Sequence, residues 1–595
     1  MKKIIKYLKP YWFIALLAPI FMGVEVVFEL LQPKLMQRIV DNGVLSTTLN
    51  LAEKLDVVIN TGLIMLVYIA IAGIGGILSA AFASAAANSF GNDVRKAAFS
   101  RVVDLSFEQK DNFTTGSLVT RITNDVTQVQ NFVTMAIRMF VRAIFLFIGG
   151  IILMYITSPQ FALILAVILP IQVLIIIYFL KKALPIFKQV QTKIDTVNSV
   201  VQENVNGVRV VKAYTREDYE SKKFARANED LSLTTLKVQK IFAIVNPLMT
   251  IFLYIIVVAV IYFGAQQIHV DLPDILSGTG DPMTVGKVMA GLTYIGQILM
   301  SVIMLAMIIQ SVTRAKVSVD RLNAVLDSEP IVTAQVAYHE NPESLQSGTI
   351  EYRNVNFNYP NLIGKPVISN FNLKIKKGES LAILGSTGSG KSSLVNLIPR
   401  FYDTTSGAVL VDGLDVKEYN LQVLREKIGI VLQQAELFTG TIKANLLWGN
   451  ETASDEELTK YAVIAQADEF IRSFTEGYHT MISEKGSSLS GGQKQRLSIA
   501  RALLKKPEIL IFDDATSALD LATEANLYRA LRANLKDTTL IIIAQRVASA
   551  KNADKIAIID NGNLVACDTH DVLIQTCAVY QDIYNSQLKR GEEDE

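Results

Sequence analysis

Cysteine and histidine are scarce in this sequence, with two of the first and four of the second in 595 residues. Cys567 and Cys577 have no histidine cluster beside them. That excludes a zinc site of the usual spacing and a disulfide framework, and fits two reduced thiols. Surplus charge is lacking too. Lys plus Arg number 57 against 56 Asp plus Glu, so no basic excess marks a nucleic-acid partner, and none is expected. The length exceeds that of one ordinary domain.

Apolar sequence is abundant, at 50% of residues, and unevenly placed. Residues 1–315 carry long apolar runs and are expected to form a membrane domain. Residues 316–345 are expected to be a linker, and 346–595 a separate α/β domain. A bilayer core of about 30 Å needs roughly 20 mostly apolar helical residues. Six stretches satisfy this, near 12–40, 57–88, 130–157, 160–182, 242–268 and 286–312. Lys2–Lys9, Arg95, Lys96, Arg101, Lys181, Lys182, Lys188, Arg314, Lys316 and Arg321 fall on one side of them, so both termini are expected in the cytoplasm of a multi-pass plasma-membrane protein. The connections near 89–129 and 183–241 exceed simple turns. They are expected to extend the helices into the cytoplasm and to carry docking surfaces around 113–126 and 205–217.

Charges inside the spans are costly, at about 2.5–3.5 kcal/mol each near mid-bilayer. Glu25 and Glu29 share a helix face, as do Arg138 and Arg142. Pairing with one another, or contact with a cationic cargo, are both open. Met300, Met304 and Met307 at helical spacing are expected to pack in the core, with ligand contact as the alternative.

In the C-terminal half, the strand-like SLAIL (380–384) precedes Gly385-Ser386-Thr387-Gly388-Ser389-Gly390-Lys391-Ser392 and a helical pattern from Ser393 to Phe401. This is the phosphate-loop consensus in its strand–loop–helix setting. Glycines admit phosphate oxygens to backbone N–H groups, Lys391 reaches the outer phosphates, and Ser392 can ligate Mg²⁺. ATP and Mg²⁺ are therefore the expected cofactors, with Ser393 included in the binding set. ILIFDD (509–514) reads as a buried parallel strand delivering Asp513 toward Mg²⁺. TTLIIIAQR (538–546) reads as a third buried strand.

LSGGQKQR (489–496), a hundred residues beyond the phosphate loop, makes the resemblance specific. The chain resembles the ATP-binding cassette (ABC) superfamily with type IV exporter architecture: an α-helical domain of six transmembrane helices fused to an α/β P-loop NTPase. The resemblance covers nearly the whole chain and implies a half-transporter that must pair with a second one. It implies adenine stacking by Tyr359. It implies Mg²⁺ contact and signalling to the membrane domain by Gln433, whose neighbour Gln434 is an alternative. Ser490, Gly491, Gly492 and Gln493 would cap the γ-phosphate of ATP held by the opposite subunit, and Ser517–Asp520 would couple the two sites. Ser490 is also expected to N-cap the helix that follows.

Two positions depart from the active pattern. Asp514 stands where the family carries the glutamate that polarises water, and Gln545 where it carries a histidine. A positioned general base is worth roughly 10²–10⁴ in rate, or about 3–5 kcal/mol. The paired change resembles the degenerate-site subunit of heterodimeric bacterial multidrug exporters. Membrane lipid and small amphipathic or cationic substrates are the other expected partners. A slow homodimer, a lipid flippase, a peptide exporter and an ATP-gated channel are the rivals.

Overall fold

The computed structural model describes residues 2–46, 49–111, 113–277, 282–332, 347–359, 364–483 and 486–593. It divides into two compact units. One comprises Met1–Ser100 with Leu118–Asp327, the other Arg101–Ser117 with Ser328–Glu595.

In the first unit, six helices are long and apolar enough to cross a membrane: Lys3–Val44, Leu51–Asp104, Thr115–Thr157, Pro159–Asn206, Glu217–Val270 and Val285–Leu305. They coincide with the six expected spans. Several are far longer than a bilayer requires. A helix of 54 residues, such as Leu51–Asp104, reaches about 80 Å at 1.5 Å per residue, against a hydrocarbon core of about 30 Å. Helix ends follow local chemistry. Ser158 is extended (φ −159°) and Pro159 opens the next helix, where a missing N–H costs nothing. Gly207 separates Pro159–Asn206 from the short tip helix Val208–Ala213.

The core of this unit joins Met22, Val26 and Leu30 to Leu146, Met154, Phe161, Ile256, Tyr294 and Ile298. Small residues permit the close approach, as usual between membrane helices. A Cβ on Gly149 would stand 2.5 Å from the Leu30 side chain, and one on Gly150 2.7 Å from Ile298. Met300 and Met307 do not join the core, contrary to expectation. They keep 56% and 54% of their surface exposed, because that face of the last helix turns away from the packed helices.

The expected linker at 316–345 begins as helix. The helix that starts at Val285 runs unbroken to Leu326, and residues 333–346 lie outside the described residues.

In the second unit, the described strands in chain order are β1 (Ile350–Phe357), β2 (Ile368–Ile375), β3 (Ser380–Leu384), β4 (Ser406–Val411), β5 (Leu414–Asp415), β6 (Ile428–Val431), β7 (Gly440–Thr441), β8 (Met481–Ile482), β9 (Ile509–Asp513), β10 (Thr539–Ile543), β11 (Lys555–Asp560) and β12 (Asn563–Asp568). They form sheets ordered β2-β1-β4-β5, β12-β11-β3-β10-β9-β6 and β7-β8. The middle sheet is parallel from β11 through β6, and the first is antiparallel.

Strand β9 shows why its sequence is continuously apolar. Ile509 and Ile511 enter a cluster with Leu394 and Val395 on one face, while Leu510 and Phe512 meet Leu497 and Leu503 on the other. A parallel strand covered on both faces has no polar side. Helix Phe107–Asp111 belongs to this unit. The Phe107 ring lies 4.5 Å from Phe401 and 6.3 Å from Tyr402, and the same unit takes in the start of the expected 113–126.

Candidate nucleotide site

The register of three parallel strands builds one edge. Ile383 of β3 pairs with Ile543 of β10, and Ile543 pairs with Asp513 of β9. The residues that follow, Gly385, Gln545 and Asp514, therefore leave the sheet together, at the carboxyl ends where ligands of open α/β sheets bind.

Gly388 (φ +83°) would have no atom within 4 Å of an added Cβ, so its backbone faces open space. Gly390 (φ +97°) would drive a Cβ to 2.9 Å from the Val367 carbonyl oxygen. The loop can thus present bare peptide groups to an anion. Lys391 Nζ donates to the carbonyls of Gly385 (2.9 Å) and Ser386 (2.8 Å), and weakly to Ser389 Oγ at 3.4 Å. Burial pushes its pKa down, opposed by Asp514 and Asp513. Ser386 and Thr387 are exposed at the loop tip. The expected helix is shorter than predicted. Regular structure spans Lys391–Asn396, then gives way to turns through Arg400, which takes a left-handed φ of 50°.

Ser392 Oγ donates to Asp513 Oδ1 at 2.8 Å, and burial raises the Asp513 pKa. A hydroxyl beside a carboxylate is a donor pair suited to a hard cation such as Mg²⁺. Among the described residues no cluster of three or more His, Cys, Asp or Glu side chains could hold a metal. Phosphate oxygens and water would supply the remaining ligands, which is the usual arrangement for Mg²⁺.

Asp514 has left the strand with a left-handed φ of 51°. Its Oδ2 accepts from Gln545 Nε2 at 2.7 Å and from Gln433 Nε2 at 3.2 Å. Burial is the main cause of its raised pKa. Gln433 thus joins the site through Asp514.

Tyr359 follows β1 by two residues. Its hydroxyl pairs with Ser393 Oγ at 3.0 Å, and its ring makes edge contacts with Phe357 (4.9 Å) and Tyr402 (5.2 Å).

Ser490 caps helix Gly491–Leu504 as expected. Its hydroxyl accepts from the Gln493 N–H at 3.3 Å, and Gln493 Oε1 accepts from the Ser490 N–H at 2.9 Å, a reciprocal capping box. Gly492 abuts the next loop. An added Cβ would lie 3.0 Å from the Ala518 carbonyl oxygen.

Sequence reasoning missed Gln495. Buried to 4% exposure, it accepts from the Ala518 N–H at 3.2 Å and donates to the Gln433 carbonyl at 3.4 Å, tying the Gln433 segment to the Ser517–Asp520 loop. A polar residue on the apolar face of a helical repeat was the available signal.

Residues 15–302 match the ABC transporter transmembrane region, and residues 368–517 match the ABC transporter domain. An uncharacterised ABC transporter ATP-binding protein of Bacillus subtilis is 36% identical across 99% of both chains. This chain belongs to the ABC transporter family. A putative multidrug export ATP-binding/permease protein of Staphylococcus aureus is 32% identical over 99% of this chain and 100% of its own length. An ATP-dependent lipid A-core flippase of Syntrophus aciditrophicus is 34% identical over 82% of this chain and 79% of its own. With one membrane region and one ABC ATPase domain, this ABC transporter is an exporter half.

Proposed function

We propose that this half-transporter holds ATP at a degenerate site and completes the competent site of a different half-transporter. The observation that carries this is the neutral Gln545 amide on the short Asp514 carboxylate, the two departures in one contact. Aspartate falls short of glutamate by one C–C bond, about 1.5 Å. Glutamine can hydrogen-bond to a phosphate but cannot carry positive charge as histidine can. Binding groups are retained: Lys391 and the loop from Gly385 to Ser393 for the phosphates, Ser392 and Asp513 for Mg²⁺, and Tyr359 for the adenine. Gln433 carries the state of the site toward the membrane domain.

The intact signature Ser490–Gln493 serves the nucleotide of the partner, whose own chain supplies the glutamate and histidine. Closure of the two ATPase domains then drives the membrane helices outward, and hydrolysis at the competent site resets them. Both termini are cytoplasmic. The tip helix Val208–Ala213 leaves Val208, Val210 and the adjoining Tyr214 exposed, a surface suited to the partner's ATPase domain.

Small amphipathic or cationic molecules are the proposed cargo. Glu25 and Glu29 share one arginine, Arg142, so this cluster has two carboxylates to one guanidinium. The multidrug export name of the Staphylococcus aureus relative agrees with that class. Lipid is the second cargo class, motivated by the flippase relative.

The test is phosphate release by the purified chain in lipid nanodiscs, alone and with a half-transporter that has Glu and His at the two positions. Low turnover alone and drug- or lipid-stimulated turnover in the pair are expected. Brisk turnover by the chain alone overturns the proposal.

A further inference from the structure

The segment that bears Gln545 is held by the C-terminal helix Ala578–Glu593. The Val547 backbone N–H donates to Gln587 Oε1 at 2.8 Å, and Gln587 Nε2 donates to the Gln545 carbonyl at 2.9 Å. One side-chain amide thus satisfies the two peptide groups on either side of Arg546, as a neighbouring strand would.

The helix is itself anchored. Tyr580 is fully buried among Ile542, Ala544 and Val547, with its hydroxyl 2.6 Å from His570 Nδ1. Gln587 lies seven residues further, on the same helix face. The segment lines a cavity of about 930 Å³ together with Asp514, Ser517, Ser549, Tyr584 and Gln587 itself. The Gln545 and Arg546 side chains are exposed. Gln587 therefore fixes the backbone from which Gln545 reaches Asp514 at 2.7 Å.

We propose that Gln587 is a positioning residue for the nucleotide site, through which the C-terminal helix sets the reach of Gln545 toward the γ-phosphate. This rests on Gln545 as the γ-phosphate contact proposed above. A residue with a merely structural role would affect triphosphate and diphosphate alike. A residue acting through Gln545 would affect the triphosphate alone.

The full chain in nanodiscs is titrated with a fluorescent non-hydrolysable adenosine triphosphate analogue and with the matching diphosphate, both with Mg²⁺. Gln587→Met keeps the length of the side chain and removes both bonds. It is expected to weaken triphosphate binding about 3–10-fold, the weight of one or so net hydrogen bonds, and to spare the diphosphate. In a Gln545→Ala background it is expected to add nothing. Ser586→Ala, whose hydroxyl donates to the Ile583 carbonyl of its own helix, leaves both affinities unchanged.

Should Gln587→Met fail to fold, Gln587→Glu keeps the acceptor for Val547 and sets an oxygen against the Gln545 carbonyl. The same selective loss is expected. Equal loss for both nucleotides, no loss, or a loss additive with Gln545→Ala overturns the proposal. A silent Gln545→Ala removes the γ-phosphate role of Gln545 and this proposal with it. A Gln545→Ala that weakens the triphosphate, beside a silent Gln587→Met, removes this proposal alone.

Discussion

Gln545 donates its side-chain amide to the Asp514 carboxylate at 2.7 Å, and so the two departures from the active ABC pattern are in direct contact. Glutamate at 514 would set its carboxylate one methylene further from the backbone, and histidine at 545 would replace the amide that now donates to it.

That contact predicts non-additive repair. Asp514→Glu alone and Gln545→His alone are each expected to raise the turnover of the purified chain by less than about tenfold. The pair together is expected to gain about 10² or more, within the range of a positioned general base. Phosphate release from the three variants checks this.

Gln495 predicts a loss of coupling with a modest loss of stability. Gln495→Leu leaves the Ala518 N–H and the Gln433 carbonyl without their side-chain partner. The cost is about 1–3 kcal/mol, that of a buried polar group left unsatisfied. Thermal melting of the full chain reads the stability. Substrate-stimulated turnover with a catalytic partner is expected to fall further than basal turnover.

Arg142 pairs with both Glu25 and Glu29. Its guanidinium contacts Glu25 and lies 2.7 Å from Glu29. Gly76 makes room, since a Cβ there would sit 2.8 Å from a Glu25 carboxylate oxygen. Arg142→Met strands both carboxylates and is expected to cost about 3–5 kcal/mol. Adding Glu25→Gln and Glu29→Gln is expected to recover most of that loss, read by melting temperature in nanodiscs.

The buried carboxylates predict a pH dependence of definite sign. Burial raises the Asp513 pKa in the folded domain above its unfolded value. A raised folded value favours the protonated form. The contribution of this group to stability is therefore complete below the unfolded pKa and is lost as pH rises through the folded pKa. Asp513→Asn is expected to raise the melting temperature of the nucleotide-free chain at neutral pH, with the gain shrinking on acidification. Mg²⁺-dependent nucleotide binding has the opposite sign, since the cation needs the ionised carboxylate, and falls as pH drops. Melting curves and nucleotide titrations across pH separate the two.

The sequence by itself determined the six apolar spans, the phosphate loop, the capped signature helix and the two departures at Asp514 and Gln545. Each of these is written in contiguous residues: a run long enough for a bilayer, a glycine pattern between strand and helix, a serine three places before a glutamine. Even there the ends shifted. The helix after Lys391 stops at Asn396, and the helix from Val285 continues into the expected linker.

Only the tertiary structure decided which distant groups meet. Arg142 chooses Glu25 across 117 positions, Gln545 reaches Asp514 across 31, and Gln587 reaches the Gln545 carbonyl across 42. Such contacts depend on strand register and helix rotation, set by the packing of the whole core. No local pattern of side chains encodes them.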